Sequence, residues 1–373
     1  MNSEKIYYDK RNYIKPTEDN WQEVLFELTS YCNLNCPFCL NESSAENKEY
    51  MTFDNFKIMV DRIKNKVKLL QLSGGEPLAN PYIFEMVDYL IENRVTFHIN
   101  TNGMLLTEKM IEKIANYPRA SIQFSLDGVN AETDDSLRCK GHFERIVSIM
   151  RLFHERGFRK GVVKMVINRL NYCQIKDYFN LAMEYGFLPT YAFLVKSGRA
   201  HNIWDELNID DKLKFSAREE IRELLDRHSD YIRGFGTEST MFYLKNMNID
   251  YVGECHFNLG HYNFSPTIHA DGSAQPCEGL FQKEFCIGNL LYESPDEIYT
   301  HGNKLVREFA EEVRKRRQRL DNELCKDCIL NSTCGKGCIA ESYNAGDFYG
   351  KPADCGMRKR DFMYNALNKE IMY

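Results

Sequence analysis

With 373 residues and a net charge of −6, the chain can bury one large core and a smaller second module. Its acidic balance argues against a nucleic-acid-binding surface, which is ordinarily basic. Residues 1–5 carry no apolar signal segment and no later run approaches the length of a membrane span, so a cytoplasmic protein with no membrane association is expected. Thirteen cysteines in such a compartment point to metal, because a reducing cytosol does not keep disulfides oxidised.

Residues 1–22 are polar and read as an N-terminal extension too short to hold a separate recognition domain. An apolar run over 24–29 predicts a buried strand, and Cys32-Asn33-Leu34-Asn35-Cys36-Pro37-Phe38-Cys39 follows it with the spacing CxxxCxxC. Beyond that loop, helices are predicted at 53–66, 82–93, 107–117, 143–156 and 174–185. They alternate with strands at 68–72, 95–100, 120–126, 161–167 and 188–195. Six strands in successive βαβ units specify a parallel sheet, and the shared handedness of the crossovers curls it. Six units where a full barrel has eight predict an α/β fold with a partial (β/α)6 TIM-like barrel over 23–208, open on one side. Such an opening suits a bulky substrate such as a peptide. A charged helical bridge is expected over 209–252 and a second module over 253–373, with a hairpin at 264–277 turning at Asp271-Gly272, a helix at 304–320 and a cysteine-rich tail.

Cysteine thiolates are the usual ligands of iron–sulfur clusters, and a four-iron cubane needs four. The loop offers three, which leaves one iron open to a small molecule, much as a catalytic zinc keeps one free position. A three-ligand zinc loop, or three unrelated buried thiols, is the alternative. Ser73-Gly74-Gly75-Glu76-Pro77 follows the second strand, where two glycines permit close approach of backbone to a ligand and a carboxylate can receive an ammonium group. Thr101-Asn102-Gly103, Ser125-Leu126-Asp127-Gly128 and Asn168 follow the third, fourth and fifth strands, at the catalytic end of a parallel barrel. In the tail, Cys325, Cys328, Cys334, Cys338 and Cys355 form CxxCxxxxxCxxxC with one later cysteine, while Cys255 and Cys277 flank Gly272 upstream. Taken alone, such CxxC pairs fit a zinc ribbon equally well. Cys139 and Cys173 lie outside both groups and read as small buried residues, with hydrogen-atom donation as the alternative. The basic run at 314–319 suits the C-terminal end of a helix.

The CxxxCxxC loop with Phe38 before its third cysteine, together with Gly74-Gly75-Glu76-Pro77, resembles the signature of the radical S-adenosylmethionine (SAM) enzymes. The resemblance implies a [4Fe–4S] cluster on Cys32, Cys36 and Cys39 whose open iron binds SAM. It also implies reductive cleavage of SAM to a 5′-deoxyadenosyl radical that abstracts hydrogen from the substrate. Phe38, Gly74, Gly75, Glu76, Pro77, Asn102, Ser125 and Asn168 would form the SAM site, with Glu76 on the amino group. The tail resembles the SPASM domain, which carries two auxiliary [4Fe–4S] clusters. The family pattern gives Cys325, Cys328, Cys334 and Cys355 to one, and Cys255, Cys277 and Cys338 to the other, whose fourth ligand is His261, Cys286 or an open position. Glu278, beside Cys277, would be the catalytic proton acceptor. The family leans toward peptide and protein substrates, so the implied function is maturation of a ribosomally made peptide by thioether or carbon–carbon cross-linking. A separate leader-binding protein and a flavodoxin or ferredoxin reductant would be its partners. Formylglycine generation in a sulfatase is the alternative enzyme reading. An electron-transfer or zinc-binding protein without SAM chemistry is the alternative from another class.

Overall fold

The computed structural model describes residues 21–235, 266–280, 282–298, 326–328, 339–344 and 355–356. Cys255, His261, Cys325, Cys334, Cys338, the expected helix at 304–320 and its basic run lie outside the described residues. With one helix added, the fourth, the N-terminal half alternates as read from the sequence: β1 (Trp21–Glu27), α1 (Phe53–Ile63), β2 (Val67–Ser73), α2 (Ile83–Glu92), β3 (Phe97–Thr101), α3 (Glu108–Asn116), β4 (Ala120–Ser125), α4 (Ala131–Leu137), α5 (His142–Glu155), β5 (Gly161–Ile167), α6 (Ile175–Glu184) and β6 (Leu188–Phe193). Helices α7 (Trp204–Leu207), α8 (Asp211–Arg227) and α9 (Ser229–Arg233) follow. The C-terminal part shows β7 (Thr267–Ile268), β8 (Ser273–Gln275), β9 (Gly288–Asn289) and α10 (Ile339–Asn344). No helix among the described residues is long and apolar enough to cross a membrane.

Strand periodicity sorts the side chains into two faces. In β1, Val24 and Phe26 are fully buried, and Phe26 meets Phe56 of α1 edge-on at 5.8 Å, so this face packs on the helices. Leu70 and Leu72 of β2 and Phe97 and Ile99 of β3 do the same in matching register. The opposite face, toward the barrel lumen, is polar. There the Asn100 amide donates to Gln71 Oε1 at 3.0 Å and Gln123 donates to Asn100 Oδ1 at 3.1 Å. Ser125, two residues beyond Gln123, shares that face and is half-buried.

All pairs from β1 to β6 are parallel. The full order β6-β5-β4-β3-β2-β1-β7-β8-β9 shows that the sheet does not end at β1. Strand β7 adds to its outer edge in parallel, pairing Leu25 with Thr267 and Phe26 with Ile268, and β8 and β9 continue antiparallel. The C-terminal hairpin therefore extends the open sheet along the edge of β1.

Three local features depart from expectation. Strand β1 starts at Trp21, inside the expected extension. The hairpin turns through His269–Gly272, with Gly272 N–H donating to His269 O at 2.9 Å and Gly272 at φ +81°. A three-residue loop ending in a left-handed glycine thus replaces a two-residue turn. Helix α8, expected to bridge the modules, lies on α6 and buries Ala217, Ile221 and Leu224, so it belongs to the barrel's outer layer.

Candidate active site

The cysteine loop leaves β1 at its C-terminal end and is held there by backbone. Cys32 N–H donates to Ser44 O at 3.1 Å, and Cys39 N–H donates to Cys36 O at 3.3 Å. The glycine pair after β2 packs directly beneath it. A Cβ on Gly74 would stand 2.4 Å from Thr29 O, and one on Gly75 would stand 2.1 Å from Tyr31 O. Gly75 and Glu76 N–H groups donate to those two carbonyls at 2.7 and 2.8 Å. The closeness these glycines permit includes the backbone leading into the loop, which they let lie against their own Cα atoms.

Glu76 is 1 % exposed, and its carboxylate accepts from Thr101 Oγ1 at 2.6 Å, Asn102 N–H at 2.8 Å and Leu78 N–H at 3.1 Å. The last of these caps the short 3₁₀ turn that Pro77 opens. Burial pushes the Glu76 carboxyl up to about 7 against the pull of those donors. A carboxylate has about four acceptor sites, so three donors leave room for one more cationic partner.

Side chains from several elements converge on the sulfurs. Asn102 Nδ2 lies 3.8 Å from Cys32 Sγ and donates to Asn33 Oδ1 at 2.9 Å, while Leu34 N–H points at the same sulfur at 3.5 Å. Arg138, at the C-cap of α4, sends Nη1 to Cys36 Sγ at 3.4 Å and Nε to Asp127 Oδ2 at 2.5 Å, and its guanidinium lies 5.2 Å from the centroid of the Phe38 ring. Asp127 is fully buried; its N–H donates to Asp134 Oδ1 at 2.7 Å and its Oδ1 accepts from Val166 N–H at 2.7 Å. Asp134 Oδ2 meets His142 Nδ1 at 2.5 Å, and His142 Nε2 donates to Asn102 O at 3.0 Å. One belt of buried polar groups thus runs from Cys36 through α4 and α5 back to the residue beside Cys32. Arg199 closes the loop from the far side, donating from its backbone N–H to Cys39 O at 3.1 Å. Its side chain donates to Cys36 O at 2.8 Å and to Ser43 O at 2.9 Å.

Arg138, Asp134, His142 and Arg199 are missing from the residues the sequence singles out. Helix α4, Ala131–Leu137, has no apolar stripe to announce it; its one cue is Asn130, whose side chain accepts from Thr133 N–H as an N-cap. Asn168, expected at the cofactor, is fully buried and spends its amide on its own turn. Nδ2 donates to Val166 O at 2.9 Å and Oδ1 accepts from Leu170 N–H at 2.9 Å.

In the C-terminal part, Cys277 is half-buried at the end of β8, while Glu278 is exposed in the turn that follows. A Cβ on Gly279 would stand 2.8 Å from Ala340 Cβ and 3.9 Å from Cys277 Sγ, so α10 rests on this turn. Asn344 Nδ2 secures it by donating to Gly279 O at 3.0 Å. The Cys286 thiol donates to Gly288 O at 3.3 Å, and Cys328 and Cys355 are half-buried. His269 Nδ1 pairs with Glu27 Oε2 at 2.6 Å where β7 meets β1. Burial disfavours the charge on His269, but the Glu27 carboxylate outweighs it and raises the imidazole above its usual value.

None of the nine described cysteines forms a disulfide. Among the described residues no three Cys, His, Asp or Glu side chains converge as for a single metal ion, whereas a cubane takes one thiolate per iron. Burial raises the Cys32 thiol to about 11, and burial also raises Cys36 although Arg138 pulls it back. The donor groups aimed at these two sulfurs suit the anionic sulfurs of a cluster.

Residues 26–182 match the model of the radical SAM superfamily, and residues 261–329 match SPASM, an iron–sulfur cluster-binding domain. The chain belongs to the radical SAM superfamily. It is accordingly a radical SAM/SPASM enzyme, with a SAM-binding [4Fe–4S] cluster and auxiliary clusters as its cofactors. It is similar to the mycofactocin maturase MftC of Mycolicibacterium smegmatis, 27 % identical over 336 residues that cover 89 % of this chain and 80 % of that protein. It is also similar to the antilisterial bacteriocin subtilosin biosynthesis protein AlbA of Bacillus subtilis, 28 % identical over 332 residues that cover 87 % and 69 %. Its fold matches that of Streptococcus suis SuiB in the crystal structure bound to precursor peptide SuiA, with a TM-score of 0.65 and 18 % identity, covering 90 % of this chain and 77 % of that one.

Proposed function

We propose that this radical SAM enzyme matures a ribosomally made peptide by forming a thioether or carbon–carbon cross-link. The observation that carries the reading is that the similarity to a maturase and to a bacteriocin biosynthesis protein runs through both cluster-binding domains, over 89 % and 87 % of the chain. Cys32, Cys36 and Cys39 would hold the first cluster, which with SAM supplies a 5′-deoxyadenosyl radical able to take hydrogen from an unactivated carbon. Glu76 receives the ammonium end of SAM at its remaining acceptor site, and Asn102 orients the first sulfur. The polar lumen wall of Gln71, Asn100 and Gln123 offers amide groups to a peptide backbone. Cys255, Cys277 and Cys338 belong to one auxiliary cluster, and Cys325, Cys328, Cys334 and Cys355 to the other. A flavodoxin or ferredoxin supplies electrons, and a separate small protein presents the leader segment.

Anaerobic reconstitution tests the chemistry: about twelve irons per chain, three cubanes of four, and 5′-deoxyadenosine after SAM and dithionite. Mass spectrometry of short peptides encoded beside this gene tests the substrate class, since each cross-link removes two hydrogens. Protein with a full iron complement that leaves every such peptide unchanged in mass counts against the maturase reading.

A further inference from the structure

Arg138 carries more hydrogen bonding than an ion pair requires. Its partner Asp127 is fully buried and fixed at both carboxylate oxygens, one by Val166 N–H at 2.7 Å and one by Arg138 Nε at 2.5 Å. That bond alone would neutralise the carboxylate. Nη1 instead turns to Cys36 Sγ at 3.4 Å, with the guanidinium lodged over Phe38 of the same loop. The arginine side chain is 11 % exposed, so its charge acts where water screens it little. The cation faces the sulfur and the carboxylate stands behind it.

We propose that Arg138 is a positioning residue that sets the electron affinity of the cluster held by Cys32, Cys36 and Cys39, through its hydrogen bond to the Cys36 sulfur. The argument is electrostatic. A cluster on three thiolates is already anionic, and reduction adds one more negative charge. A fixed donor cation at a ligand sulfur stabilises the reduced form more than the oxidised one, as hydrogen bonds to cluster sulfurs do in general. Asp127 acts through Arg138 by aiming it, and α4 supplies the frame, since Arg138 N–H donates to Asp134 O at 2.9 Å. The proposal rests on the cluster reading of the loop and is independent of the peptide substrate.

The full chain, reconstituted without oxygen, is titrated with reductant and followed by electron paramagnetic resonance. The signal that changes on adding SAM identifies the cluster of this loop. Arg138→Gln is expected to shift the reduced-to-oxidised ratio about tenfold toward oxidised, a midpoint lower by about 59 mV for one electron. Arg138→Lys keeps the charge but cannot fork to Asp127 and Cys36 together, and falls by less. A wild-type midpoint in Arg138→Gln overturns the proposal. If that variant loses its iron, Arg138→Lys decides, because it keeps the charge and loses the fork: a lowered midpoint supports the role and an unchanged one overturns it. Wild-type protein with no SAM-responsive signal would instead overturn the cluster reading itself, a result distinct from equal midpoints.

Discussion

The mouth of the barrel and the C-terminal hairpin both present cysteine sulfur, yet they are held in different ways. At the mouth, the glycine pair lies against the loop's backbone, Arg199 gathers its carbonyls, and Asn102 and Arg138 address individual sulfurs. At the hairpin, attachment is to the barrel. Strand β7 pairs with β1, Arg62 donates to Glu293 O and Leu291 O at 3.1 Å each, and Lys66 meets Asp296. The first site is gripped by side chains and backbone from several elements, whereas the hairpin is a piece of structure docked beside it. Damage at the mouth should therefore abolish chemistry, and damage at the hairpin should uncouple it.

The largest test of that contrast is a pair of ligand substitutions. Cys36→Ser should abolish 5′-deoxyadenosine formation, whereas Cys277→Ala should retain it while iron falls by about four per chain. Chromatography of the nucleoside beside an iron assay reads both. Equal loss of 5′-deoxyadenosine in the two variants would erase the distinction.

Packing gives the next largest effect. Gly75→Ala would drive a Cβ to 2.1 Å from Tyr31 O, against backbone that cannot yield, while Gly279→Ala would meet Ala340 Cβ at 2.8 Å on the neighbouring α10. Overpacking of this kind costs about 1 to 3 kcal/mol. Gly75→Ala is expected at or above the top of that range and Gly279→Ala near the bottom, as read from denaturant midpoints.

Titration sharpens the contrast further. Glu76 is raised to about 7 by burial, so it must lose a proton to meet an ammonium group. SAM affinity measured by calorimetry should fall as pH drops below 7, by up to about tenfold per unit. Glu76→Gln should flatten the dependence and weaken binding throughout.

The smallest effect belongs to the junction. The folded imidazole of His269 lies above its unfolded value, so its pairing with Glu27 contributes stability that is full below the unfolded value near 6.5 and is lost as pH rises through the folded one. The difference in thermal midpoint between wild type and Glu27→Gln should therefore shrink from pH 6 to pH 8. A constant difference would separate the junction's stability from that ion pair.

The barrel could be read from the chain because its strands and helices each bury one regular face: β5 falls on 161–167 as expected, and the helix cores follow the 3.6-residue period. The belt around the sulfurs could not. Arg199 reaches Cys36 O from 163 positions away, and nothing in the Gly198-Arg199 dipeptide announces that partner. Helix α4 has seven residues, mostly polar and acidic, so hydrophobic periodicity is silent about the segment that ends at Arg138. Gly74 and Gly75 were legible as a close approach, but which surface they approach is a tertiary fact. Asn168 shows the same limit in reverse, since a short polar residue after a strand reads alike whether it faces a ligand or closes its own turn.

The pairing of β1 with β7 also bears on how the protein is made. Glu27 and its partner His269 are 242 positions apart, so among the described residues the outer edge of the first strand has no neighbour until translation has passed the whole barrel. At roughly 5–20 residues per second that interval is on the order of ten to fifty seconds, during which a row of unmatched peptide groups stays open to other nascent chains. Yield in a cell should therefore respond to synthesis rate and to chaperone supply more than the finished sheet would suggest.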